Sequence, residues 1–264
     1  MNAFFSRLLV AAVGVPVVLG LAYLGGWWLF GLVAIAAAVA LHEYWLLARK
    51  LRPLAPAGYV GGILALVGAE SGGVEWMVGG LLTTFALAFF LKGISEARQA
   101  PTVAVSGTVL GAAWVGLGLG FLLLIRGGDH GRLALLTLLL AVWAGDTFAY
   151  FGGRLIGRHK MAPTTSPGKT WEGFVFGTAA TIFVAFIALY KQHFLTISHS
   201  IVLGAVLAVS APIGDLFESL LKRDAEVKDS GSLLGGHGGM LDRLDAFLFA
   251  APAAFFVLAA LGHS

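Results

Sequence analysis

The chain has 264 residues, of which 58% are hydrophobic and only 12% charged, whereas soluble domains carry roughly 25% charged residues. Long apolar runs recur from end to end, which excludes a soluble enzyme on a single anchor and predicts an all-α, polytopic integral membrane helical bundle. The lack of cysteine excludes disulfides and thiolate chemistry. The net charge of +3 comes from scattered basic residues with no interleaved aromatic stripe, so no nucleic-acid partner is expected.

About 20 apolar residues cross a bilayer as a helix. In chain order, spans are predicted near 7–24, 27–47, 54–69, 73–92, 103–125, 132–151, 171–190, 200–220 and 244–262. That makes nine, with seven to nine as the range, because the third is short and glycine-rich. The first resembles a signal peptide but reads as a retained span, since Gly20 to Leu29 offers no small-x-small cleavage site. With the N-terminus in the cytoplasm, nine spans leave only Arg126, Arg132 and Lys191 of the 17 Lys and Arg on the far side. The positive-inside rule favours that orientation. Loops 152–170 and 221–243 then face the cytoplasm, where nucleotides are. Residues 1–130 read as packing helices with possible dimer contacts, and 131–264 as the catalytic region.

Glycines punctuate this pattern. Gly25-Gly26 and Gly127-Gly128 read as turns. Gly116 and Gly120 form a small-xxx-small pair suited to close helix packing. No internal repeat is visible, which weakens the case for an inverted-repeat transporter.

Chemistry concentrates in the last third. Half of the 14 acids lie between Asp215 and Asp245, together with Lys222, Arg223, Lys228 and Arg243. Charges at the edge of lipid are costly unless they pair, bind metal or meet a charged substrate. Carboxylates that hold a cation beside Lys and Arg that hold phosphate oxygens suit a metal-bound polyphosphate. Asp215, Glu218, Ser219 and Lys222 recur at i, i+3, i+4 and i+7, one face of a helix. Asp242 and Asp245 open the last span, where the helix dipole alone favours acids. Asp215 and Asp242 are the natural pair for a hard cation such as Mg²⁺, which usually takes one or two protein carboxylates. His237-Gly238-Gly239 can present backbone N–H groups to phosphate or be a plain turn.

Upstream, Ser166-Pro167-Gly168-Lys169-Thr170 stands just before a helix, where hydroxyls, an ammonium and free N–H groups can receive phosphate. Walker A spacing is missing. Asp146 lies within an apolar span, which makes it a functional candidate. His42-Glu43, at the end of the second span, reads as an interfacial pair.

At these residues the sequence resembles the phosphatidate cytidylyltransferases, or CDP-diacylglycerol synthases. Their signature, S-x-x-K-R-x(4)-K-D followed by H-G-G-x-x-D-R-x-D, is filled by Ser219, Lys222, Arg223, Lys228, Asp229, His237, Gly238, Gly239, Asp242, Arg243 and Asp245. Gly145-Asp146-Thr147, Ser166-Pro167, Lys169 to Gly173, Gly214-Asp215 and Glu218-Ser219 match upstream elements. Gly168 departs, standing where relatives commonly carry a Lys.

The resemblance implies transfer of a cytidylyl group from CTP to phosphatidate, in phospholipid biosynthesis. It implies catalytic roles for Asp215, Asp242, Lys222 and Asp146, with Asp215 and Asp242 as Mg²⁺ ligands and a second cation such as K⁺ permitted. Substrate contacts are implied for Ser166, Lys169, Thr170, Ser219, Arg223, Lys228, Asp229, His237, Gly238 and Arg243. It also implies a homodimer; compact size points to a bacterial inner membrane. The residues alone leave open a CTP-dependent lipid-alcohol kinase and, from another class, a membrane ion transporter.

Overall fold

The computed structural model describes residues 3–95, 100–190, 192, 194–231 and 238–262, with side chains from residue 12 onward. Among the described residues, eight long helices follow one another: α1 (Ala3–Leu24), α2 (Gly26–Leu47), α3 (Ala55–Gly93), α4 (Pro101–Gly127), α5 (Gly131–Ile156), α6 (Trp171–Leu189), α7 (Ile197–Asp224) and α8 (Leu241–Ala260). A two-stranded antiparallel hairpin, β1 (Lys160–Ala162) and β2 (Ser166–Thr170), stands between α5 and α6.

Among the described residues, seven helices are long and apolar enough to cross a membrane, within the expected seven to nine. The helices α2 to α8 supply them, and α1 contributes Ala12–Leu24 as a shorter apolar helix. The element α3 covers two of the predicted spans. It breaks at Gly73, whose φ of 76° and ψ of −162° are not helical, a left-handed conformation that suits glycine. Its arms lie against each other: a Cβ at Gly61 would enter Thr84, and one at Gly80 would enter the Ala65 backbone.

The chain divides into two compact units, Met1–Gly127 with Leu221–Leu244, and Gly128–Leu220 with Asp245–Ser264. In the first, Arg126 closes the end of α1. Its guanidinium donates to the carbonyls of Ala22 (2.8 Å), Tyr23 (2.9 Å) and Leu24 (3.2 Å), groups that a helix C-terminus leaves unpaired. The turn at Gly25 has a φ of 69°, and a Cβ there would strike that guanidinium. Gly116 and Gly120 of α4 sit against α3 as close packing requires, Gly116 facing the Gly62 Cα and Gly120 facing Met77. Gly116 itself lies in a π-helical stretch, Ala112–Leu117, where the helix loosens. Buried Tyr44 donates to the Gly107 carbonyl at 2.9 Å, which ties α2 to α4.

In the second unit, small residues again set the helix spacing. A Cβ on Gly145 would enter Thr181, and on Gly152 would enter Phe176, so α5 and α6 meet along a glycine seam. Gly204 lies on Ile182 and Ala185, which brings α7 onto α6, and Gly214 lies on the Asp245 carbonyl. Phe217 and Phe249 add a ring contact at 5.6 Å between α7 and α8.

The packing at Gly61 yields a first expectation. Gly61→Val should destabilise the protein by about 1–3 kcal/mol, the usual range for overpacking. Gly79→Ala, in open space, should leave the midpoint of thermal unfolding in detergent unchanged or slightly raised. Equal midpoints for both variants would contradict the packing of the two arms of α3.

Candidate active site

A cavity of about 640 Å³ opens in the second unit. Helix α5 supplies Asp146, Tyr150 and Arg154, the hairpin supplies Lys160, Ser166 and Lys169, and α7 supplies Asp215. The charges are mixed, with three cations and two carboxylates. Lys169 Nζ lies 2.7 Å from Asp215 Oδ2 and 3.4 Å from the Pro212 carbonyl. Ser219 Oγ, one turn further along α7, lies 3.4 Å from Asp215 Oδ1. Arg154 donates to the Tyr150 hydroxyl at 2.7 Å. Sequence reasoning did not single out Arg154 or Lys160. Their signal was present in the basic content of loop 152–170, but only the hairpin brings Lys160 to the same cavity as Lys169.

The hairpin is held at its base by Glu172, in the first turn of α6. Its carboxylate accepts from the backbone N–H of Arg158 (3.1 Å) and of His159 (3.2 Å), and its Oε1 lies 2.6 Å from His159 Nδ1. The Trp171 N–H donates to the His159 carbonyl at 2.9 Å. Thr170, expected to contact substrate, is the N-cap of α6: it is buried, and its Oγ1 accepts from the Gly173 N–H at 3.1 Å. Ser166, Lys169 and Thr170 all line the cavity. Gly168 also lines it with open space beyond its Cα.

A second polar cluster forms in the first unit. Asp242 Oδ1 accepts from Lys222 Nζ at 2.6 Å, with both side chains largely buried. Its Oδ2 accepts from the N–H of Gly239 (2.8 Å) and of Ser230 (3.0 Å), with Ser230 Oγ at 3.0 Å. The Gly239 N–H, one of the groups that the sequence offers to phosphate, is therefore turned onto the protein's own carboxylate. Gly238 has a φ of 77°, and a Cβ there would meet Asp242 Oδ2, so the turn calls for glycine twice over. Arg223, Lys228, Asp229 and Arg243 are exposed. His237 lies outside the described residues.

Glu43 of α2 completes this cluster, which the sequence analysis did not foresee. It is only 3% exposed. Its carboxylate accepts from the N–H of Met240 (2.9 Å) and of Leu241 (2.8 Å) and from Ser230 Oγ (2.9 Å). Its signal in the sequence was an acid in the last turns of α2, where the helix dipole disfavours it.

A model of the cytidylyltransferase family matches residues 5–261. The chain belongs to that family. It is 35% identical over 254 residues to the phosphatidate cytidylyltransferase of Mycobacterium bovis (strain ATCC BAA-935 / AF2122/97), covering 87% of this chain and 80% of that protein. It is 30% identical over 291 residues to the phosphatidate cytidylyltransferase of a Synechocystis species, covering 97% of each. The phosphatidate cytidylyltransferase of Bacillus subtilis (strain 168) is 39% identical over 152 residues, 57% of this chain and 56% of that protein. Within the family signature, Lys222 and Asp242 are thus a buried pair and Gly238-Gly239 a turn shaped around a carboxylate.

Among the described residues, no three His, Cys, Asp or Glu side chains gather as a metal cluster. The donor chemistry nonetheless fits a hard cation that takes one or two protein carboxylates. Asp215 and Asp242 each hold an ammonium at 2.7 and 2.6 Å, as negative oxygens suited to a cation do.

The hairpin base can be tested directly. Glu172→Gln puts an amide N–H₂ against backbone donors, so trypsin should cut after Arg158 and Lys160 several-fold faster than in the parent protein. An unchanged cleavage rate would contradict the anchoring role of Glu172.

Proposed function

We propose that this chain transfers a cytidylyl group from CTP to phosphatidate, giving CDP-diacylglycerol and pyrophosphate, in phospholipid biosynthesis. Family membership supports the reaction class, and the name carried by its relatives supports the substrate pair. The observation that carries the reading is the cavity that lines Arg154, Lys160 and Lys169 with Asp146 and Asp215 inside a set of membrane-spanning helices. Its volume lies within the roughly 300–1,000 Å³ of small-molecule sites.

A phosphate oxygen of phosphatidate attacks the α-phosphorus of CTP, the α–β bridging P–O bond breaks, and pyrophosphate leaves with that electron pair. The attacking oxygen is already anionic at neutral pH, so no general base is required. The work left to the protein is positioning and charge neutralisation. Lys169, with Arg154 and Lys160 beside it, binds phosphate in the cavity, either that of the lipid or those of CTP. Ser166 contributes a hydroxyl to the same wall, and Thr170 holds the hairpin in place by capping α6. Asp146 orders the cavity as a further acid.

Lys222 acts on nucleotide phosphate, supported by Arg223 and Lys228 on the exposed face of loop 221–243. Ser219 supports Asp215; Asp229, Gly238 and Arg243 shape the loop. Asp215 and Asp242 would each offer a carboxylate to Mg²⁺, which would supply charge neutralisation of the phosphates. A second cation such as K⁺ and a homodimer follow from the resemblance alone. The excess of Lys and Arg in alternate loops supports a site facing the cytoplasm, and the bacterial relatives support a bacterial inner membrane location.

Asp215→Asn and Asp242→Asn should each lower CDP-diacylglycerol formation by at least about 100-fold, the scale of losing a key electrostatic contact. Both variants should elute from gel filtration in detergent as the parent does. Near-parental turnover in both would remove the two carboxylates from the mechanism.

A further inference from the structure

Glu43 is a buried acid on α2, far in sequence from every partner it holds: Ser230, Met240 and Leu241. A buried carboxylate persists when its oxygens are supplied with donors, and here the donors come from the middle and the C-terminal end of the segment that carries the family signature. One oxygen, Oε1, takes the Met240 N–H, and Oε2 takes the Leu241 N–H and the Ser230 hydroxyl. Those two N–H groups open α8 immediately before Asp242.

Ser230 connects the two acids. Its hydroxyl lies 2.9 Å from Glu43 Oε2 and 3.0 Å from Asp242 Oδ2, while its N–H donates to Asp242 Oδ2. The packing leaves no slack, because a Cβ on Gly239 would enter both Glu43 and Ser230, and one on Gly231 would enter Glu43. Asp242 Oδ2 is thereby fixed by two N–H groups and by the single Ser230 hydroxyl proton that it shares with Glu43, and Oδ1 is the oxygen left to Lys222.

We propose that Glu43 is a positioning residue for the transfer reaction, setting the orientation of the Asp242 carboxylate through the start of α8 and through Ser230. The inference rests on the role assigned above to Asp242. Groups that orient a metal-binding or charge-handling carboxylate typically cost about 10–100-fold in affinity or activity when removed. Glu43→Gln retains size but turns an N–H₂ toward donors, so it breaks the arrangement without emptying the space.

The test compares parent, Glu43→Gln, Glu43→Asp and Ser230→Ala in detergent by three readouts. Amide hydrogen exchange of metal-free protein reports on Ser230 and on Gly239 to Leu241. Half-saturating Mg²⁺ and KM for phosphatidate come from initial rates, and thermal unfolding reports on global stability. Glu43→Gln should exchange those amides about tenfold faster and raise half-saturating Mg²⁺ about tenfold, with KM for phosphatidate unchanged. Ser230→Ala should shift the Mg²⁺ dependence in the same direction, and Glu43→Asp should do so less.

A structural role alone would lower the unfolding midpoint while the Mg²⁺ profile of the folded fraction stayed parental, and that result overturns the proposal. Should Glu43→Gln fail to fold, a parental Mg²⁺ profile in both Glu43→Asp and Ser230→Ala overturns it equally. If the parent makes no CDP-lipid, the reading of the function fails, and the exchange rates alone decide whether Glu43 orders the segment.

Discussion

A carboxylate set against irregular backbone draws donors to itself, and that requirement shapes the polar parts of this molecule. Glu43 gathers two backbone N–H groups and a hydroxyl; Asp242 gathers an ammonium, two N–H groups and the same hydroxyl. Glu172 gathers two backbone N–H groups and an imidazole. In each case the acid orders irregular backbone that no regular hydrogen-bond ladder would hold. Segments that would otherwise be loose at the edge of lipid become rigid supports for charged side chains.

Glycine is the complement of those acids. Gly231, Gly238 and Gly239 lie where any side chain would enter a carboxylate, so the backbone comes close enough for its N–H to donate. The same absence of a Cβ serves a different purpose along the helices. Gly61, Gly80, Gly145, Gly152 and Gly204 allow apolar helices to meet where lipid offers no hydrophobic gain on association and close contact has to supply the attraction.

The helices were legible in the sequence because length and apolarity suffice to define a span. The two spans predicted at 54–69 and 73–92 are the two arms of α3, since a break of one residue at Gly73 is enough to reverse the chain. The β-hairpin was not legible. Its strands are three and five residues long, Pro167 and Gly168 are poor strand formers, and its base is fixed by Glu172 from the following helix. Asp215, Lys169 and Asp146 were each singled out as residue types, and the fold brings all three to one cavity. Glu43 was passed over as an interfacial acid because nothing local marks the partners it holds across the chain; only its unfavourable place on the helix dipole hinted at them.

The central claim is that the α-phosphorus of CTP is the atom attacked. CTP labelled at the α- or the γ-phosphate, supplied with phosphatidate and Mg²⁺ in detergent micelles, separates this from its nearest chemical rival. The account predicts α-label in a lipid with the mass of CDP-diacylglycerol and γ-label in pyrophosphate. Label from the γ-phosphate in the lipid, with CDP released, would mean a CTP-dependent lipid kinase and would contradict the account.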